Sequence, residues 1–170
     1  TGLSTSANRT ILGGAANLWF GSRVATAGDI NADGYSDVLI GSDNYTNGQT
    51  NEGAVYIYHG SASGIAATPT SIVESNVTSA NMGREVSTAG DVNGDGYSDI
   101  VIGAESFDNG QTAEGAFWIY QGSASGINTT PMLFVESNQY NWWMGKGVGC
   151  AGDINGDGYS DVLIGLYGYT

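Results

Sequence analysis

Ala27-Gly28-Asp29-Ile30-Asn31-Ala32-Asp33-Gly34-Tyr35-Ser36-Asp37 decides the reading of this chain, because it occurs three times. It returns as Ala89-Gly90-Asp91-Val92-Asn93-Gly94-Asp95-Gly96-Tyr97-Ser98-Asp99 and as Ala151-Gly152-Asp153-Ile154-Asn155-Gly156-Asp157-Gly158-Tyr159-Ser160-Asp161, without gaps and 62 residues apart. A fixed period of this length is the mark of a repeat architecture, in which each copy is one supersecondary unit. The agreement extends outward. Gly53-Ala54-Val55-Tyr56-Ile57-Tyr58 matches Gly115-Ala116-Phe117-Trp118-Ile119-Tyr120, and both run into Gly-Ser-Ala-Ser-Gly-Ile.

Each unit reads as four strands. The first precedes the acidic loop, around Arg23 to Ala27, and the second follows it as the apolar run Asp37 to Gly41. A short continuous apolar run bounded by turn residues suits a buried strand. The third is Ala54 to Tyr58, rich in β-branched and aromatic residues, and the fourth lies near Ser71 to Glu74. No stretch has a sustained helical period. Four strands per unit, glycine-rich turns and a fixed period predict an all-β chain of β-propeller blades, each of four antiparallel strands.

Counted in phase, residues 1–20 form the outer strand of an incomplete blade (Arg9 to Phe20), 21–82 a first repeat, 83–144 a second, and 145–170 the first half of a third. That is about two and three-quarter blades, whereas closed propellers use about 4–8. The chain is therefore expected to be an excerpt of a larger propeller or a protomer that other copies complete by strand addition at an open edge.

The repeated loop places oxygen donors at alternate positions. Asp29, Asn31 and Asp33 can face inward, Tyr35 can offer its backbone carbonyl, Asp37 closes the set, and Gly34 permits the sharp turn. The same roles fall to Asp91, Asn93, Asp95, Tyr97 and Asp99, and to Asp153, Asn155, Asp157, Tyr159 and Asp161. Hard, flexible oxygen coordination suits Ca2+ better than Mg2+. An EF-hand needs a glutamate at the twelfth loop position, where this chain has Ile40, Ile102 or Ile164 inside an apolar strand. Three structural Ca2+ sites in β-hairpins are expected. The plainer reading is that Asp and Asn only form turns with their own backbone.

Nine of the 17 acidic residues lie in these loops, and the formal charge of -13 argues against nucleic acid as a partner. Three Ca2+ ions would bring that charge to about -7. No apolar run has transmembrane length, so direct membrane insertion is not expected. Cys150 is the only cysteine, which precludes an intrachain disulfide. No nucleophile–base pair, phosphate cradle or zinc cluster is recognisable, and a non-enzymatic chain is expected.

The repeats resemble the FG-GAP repeat of integrin α-subunits and related propellers. Phe20-Gly21, Met82-Gly83 and Met144-Gly145 stand at the Phe-Gly element, and Thr26-Ala27-Gly28, Thr88-Ala89-Gly90 and Cys150-Ala151-Gly152 at the second, without its proline. The resemblance implies propellers that bind Ca2+ in hairpin loops on one face and act in adhesion or recognition, outside the cell or at its surface. The partners it implies are the remaining blades of a parent propeller or other copies of the chain, and an extracellular protein or glycan ligand. A self-assembling structural subunit, a carbohydrate-binding lectin and an accessory propeller of a larger hydrolase are the alternatives.

Two further features are weighed on their own. Trp142-Trp143 could stack on a sugar face but suits packing between blades better. Asn8, Asn44, Asn76 and Asn128 each begin an Asn-x-Ser/Thr sequon and are candidate glycosylation sites.

Overall fold

In a computed structural model of the chain, residues 6, 7, 9–14 and 18–169 are described. They form strands and turns with no helix, and so no helix long and apolar enough to cross a membrane. The strands are β1 (Arg23–Gly28), β2 (Asp37–Ser42), β3 (Ala54–Tyr58), β4 (Ser71–Glu74), β5 (Glu85–Gly90), β6 (Asp99–Ala104), β7 (Ala116–Tyr120), β8 (Leu133–Glu136), β9 (Met144–Gly152) and β10 (Asp161–Leu166). They make three antiparallel sheets, ordered β1-β2-β3-β4, β5-β6-β7-β8 and β10-β9. The first two have the meander order and four strands of propeller blades, and the third has only the inner pair among the described residues.

The repeat in sequence becomes a repeat in register. Thr26 pairs with Val38 and Gly28 with Asp37, and in the second blade Thr88 pairs with Ile100 and Gly90 with Asp99. Both hairpins carry the same bulge at Ala27 or Ala89, which twists the strand ends into the acidic loop. β9 begins further back than β1 or β5, at Met144, because Leu166 of β10 pairs with it. The described residues between Arg9 and Phe20, where an outer strand was expected, form no strand.

Blades stack face to face, with β1 against β5 and β5 against β9. One core lies between the first two blades (Leu39, Ile57, Met82, Ile100, Ile102, Trp118 among others), and a second lies between the next two around Val101, Phe117, Ile119 and Val148. Every residue of β6 and β7 is buried, since that blade is covered on both faces. This is why β2 and β6 are continuous apolar runs rather than alternating ones. β10 has the same kind of sequence but one open face. Leu163 is 59% exposed where its counterparts Leu39 and Val101 are at 0%. Trp142 and Trp143, just before β9, pack on Tyr169 and Tyr167, just after β10, with ring centroids 5.0 and 5.6 Å apart.

Candidate functional site

Each β1–β2-type hairpin is closed by its own carboxylates. Asp29 Oδ1 accepts the N–H of Asp33 at 3.1 Å and Asp29 Oδ2 that of Gly34 at 2.8 Å. Asn31 Oδ1 also accepts from Asp33 N at 3.1 Å, and Asp33 Oδ1 accepts from Tyr35 N at 3.0 Å. The other two loops reproduce this pattern. Asp91 accepts from Gly94, Asp95 and Gly96 at 2.7, 3.1 and 2.8 Å. Asp153 accepts from Gly156, Asp157 and Gly158 at 2.7, 3.1 and 2.9 Å. Asn93 and Asn155 each accept from the aspartate two residues on, and Asp95 and Asp157 each accept from the tyrosine two residues on.

The closing aspartate behaves differently. Asp37 is fully buried, with Oδ2 accepting from Ile30 N at 2.9 Å and Oδ1 from Gly60 N at 2.8 Å. Asp99 repeats this with Val92 N and Gly122 N, both at 2.9 Å, and Asp161 accepts from Ile154 N at 2.9 Å. Asp37 and Asp99 thereby tie the hairpin to the turn after the third strand of their blade. Burial pushes the pKa of Asp37 and of Asp99 up, against the opposing pull of those backbone N–H groups and with a further small push from nearby loop aspartates. Asp153, at the mouth of the third loop, is held below the usual carboxylate range, chiefly by the Gly158 N–H.

The loops therefore gather two carboxylates and a carboxamide at each hairpin mouth, with the third carboxylate turned into the blade. Among the described residues, no three His, Cys, Asp or Glu side chains converge as a ready metal cluster. The donor set nevertheless fits a hard cation in kind. It consists only of carboxylate, carboxamide and peptide oxygens, and a carboxylate has about four lone-pair sites, more than these N–H contacts use. The amide contacts hold the turn in shape while leaving Asp91 Oδ2, for example, with a single donor.

Each loop also leans on the next. Ser98 N donates to the Asp29 carbonyl at 3.0 Å, and Ser160 N to the Asp91 carbonyl at 2.8 Å. Asp29 N donates in return to Ser98 Oγ at 3.2 Å. Arg23 bridges to Glu85 at 3.0 Å, and Arg84 and Lys146 converge on Glu105 at 2.9 and 3.4 Å, so ion pairs join successive blades as well.

Residues 20–58 and 82–120 each match the family model of the FG-GAP repeat. The chain carries FG-GAP repeats. Two of the three acidic loops lie inside the matched stretches, and the third repeats their sequence and hydrogen bonding. The FG-GAP chain is 31% identical over 159 residues to integrin alpha-5 of Xenopus laevis, covering 88% of this chain and 15% of that protein. It is 34% identical over 152 residues to integrin alpha-6 of Gallus gallus, covering 86% and 13%. Over 89 residues it is 43% identical to integrin alpha pat-2 of Caenorhabditis elegans, covering 50% and 7%. The chain thus spans about a seventh of the length of the first of these relatives.

Of the sequon asparagines, Asn76 and Asn128 are exposed and Asn44 is half-buried, while Asn8 lies outside the described residues. Sequence reasoning passed over Glu52 and Glu114, both fully buried. The signal for them was present, since Gln49-Thr50-Asn51-Glu52-Gly53 and Gln111-Thr112-Ala113-Glu114-Gly115 keep the same 62-residue spacing.

Proposed function

We propose that this chain is a Ca2+-stabilised, non-enzymatic adhesion or recognition module that works outside the cell or at its surface. The observation that carries the proposal is the threefold oxygen-donor hairpin, hydrogen-bonded through its backbone to the hairpin of the next blade. Ca2+ would be held by Asp29, Asn31, Asp33 and the Tyr35 carbonyl at the mouth, with Asp37 closing the set from beneath through the lone pairs its two N–H contacts leave free, and by the matching residues of the other two loops. Neutralising the crowded carboxylates is what the ion supplies, and in doing so it fixes loops on which the blades meet. The similarity to integrin α chains supports the adhesive role. The blades take 21–82 and 83–144 as full repeats and 145–170 as the first half of a third, and the exposed Asn76 and Asn128 are the acceptors best placed to carry glycans.

The partners of this reading are the remaining blades of a parent propeller, and an extracellular protein or glycan. A second reading, completion by other copies of the chain, is favoured by β10. Its outer edge has no strand partner among the described residues, and its apolar residues lie open on one face. Binding to arrays of extracellular-matrix proteins and of glycans, in calcium and then in chelator, tests the function. Calcium-dependent capture of a protein supports it, capture of glycans alone makes the chain a lectin, and silence on both arrays contradicts a recognition role.

A further inference from the structure

At the end of each four-stranded blade remote from the acidic hairpin lies a second repeated arrangement. Asn47-Gly48-Gln49-Thr50-Asn51-Glu52-Gly53 recurs as Asn109-Gly110-Gln111-Thr112-Ala113-Glu114-Gly115, and Glu74-Ser75 as Glu136-Ser137. The first stretch belongs to the connection between the second and third strands, and the glutamate of the second ends the outer strand. Glu52 and Glu114 are fully buried. In each, Oε1 accepts the backbone N–H of Asn47 or Asn109, and Oε2 has no partner at all.

The same asparagine reaches a second carboxylate. Asn47 Nδ2 donates to both oxygens of Glu74 at 3.3 Å, and Asn109 Nδ2 to those of Glu136 at 3.3 and 3.1 Å. Ser75 Oγ donates to the Glu52 carbonyl at 2.7 Å and Ser137 Oγ to the Glu114 carbonyl at 2.6 Å, which pins the outer strand's exit against this connection. One asparagine thus joins two carboxylates in both blades, the buried one through its backbone N–H and the outer one through its side-chain amide.

Among the described residues no ion pair reaches them. The ion pairs among the described residues take Arg23 to Glu85, and Arg84 and Lys146 to Glu105. A buried carboxylate oxygen with no donor and a second carboxylate beside it is a costly arrangement until a positive charge enters. The ligands on hand are all hard oxygens, the donor type that Ca2+ takes, and water can fill the rest of its larger shell. We infer that each four-stranded blade holds a further Ca2+ ion, between Glu52 and Glu74 in the first and between Glu114 and Glu136 in the second. The six residues of β2 or β6 separate this site from the acidic hairpin by roughly 20 Å. It ties the second-to-third-strand connection to the outer strand, whereas the hairpin loops tie blade to blade. With two carboxylates rather than three it completes its shell with water.

The test counts bound ions on the whole chain, by equilibrium dialysis against radiolabelled calcium. E52Q/E114Q should bind two ions fewer than the unsubstituted chain, and D29N/D91N/D153N should leave those two in place. The second variant separates this inference from the hairpin reading, because either set of ions can be lost without the other. A folded E52Q/E114Q chain with an undiminished count overturns the inference. Should that variant fail to fold by circular dichroism, E74Q/E136Q, altered at the half-buried partner, must show the same deficit. A folded D29N/D91N/D153N chain that binds no ion overturns it as well.

Discussion

Ala32 holds a left-handed backbone conformation (φ 56°) at the position where the other two hairpins place Gly94 and Gly156, both at φ 76°. A Cβ is strained there, and glycine is not. Ala32→Gly should therefore stabilise the chain by about 0.5–1 kcal/mol, read as a higher urea midpoint at unchanged slope. Asp95 does two things at once: it accepts the Tyr97 N–H at 3.0 Å and is a proposed ligand. Asp95→Ala should cost about 1–2 kcal/mol in chelator, the worth of its two exposed hydrogen bonds from Tyr97 N and Asn93 Nδ2, and distinctly more in calcium. Equal losses in both buffers would remove Asp95 from the ligand set. At this scale the sequence showed which residues form each loop but not how they divide the work. The nine-residue spacing treats Asp29 and Asp37 alike, whereas only Asp37 meets the N–H of Gly60, which lies beyond the next two strands. Glu52 and Glu74 escaped notice for a related reason. Their pairing depends on strand register, and nothing local in sequence joins them.

Among elements, the third and fourth strands fall where the residues put them, at Ala54–Tyr58 and Ser71–Glu74. Aromatic and β-branched runs flanked by Gly, Ser and Pro leave little freedom in their bounds. The start of β9 was not legible, because Met144 joins the strand only through Leu166. Contact between hairpins, rather than within them, was invisible to a repeat-by-repeat reading, yet it is closely fitted. Gly90 has φ +73°, and a Cβ there would lie 2.3 Å from Ser160 Oγ in the next loop. Gly28 meets Ser98 Oγ in the same way, at 2.4 Å. Gly90→Ala should thus combine backbone strain with a displaced neighbouring loop and cost about 1–3 kcal/mol in thermal or denaturant unfolding. A loss of only a few tenths would mean that the loops do not bear on each other.

For the whole molecule, burial differs from one copy of the repeat to the next, and among the described residues one face of β10 lies open. The same side chain meets two fates along the repeat. Ile30 is at 0% exposure where the second blade covers it, whereas its counterpart Ile154 is 73% exposed. Leu39→Ala should cost about 2–5 kcal/mol, as a buried leucine does. Leu163→Ala should cost far less in the isolated chain and approach the Leu39 value wherever another blade covers β10, in a parent propeller or an assembly. Unfolding the two variants at low and high protein concentration checks this. The central claim, that calcium in the hairpins holds the blades, is tested most directly by the melting temperature in calcium against chelator. With free Ca2+ about a hundredfold above Kd, each site adds about 2.7 kcal/mol, and each kcal/mol moves the midpoint of a chain this size by about 2–4 °C. Three filled loops predict a fall of roughly 16–32 °C on chelation. A melting temperature indifferent to chelator would contradict the account and leave the acidic loops as turns closed by their own backbone.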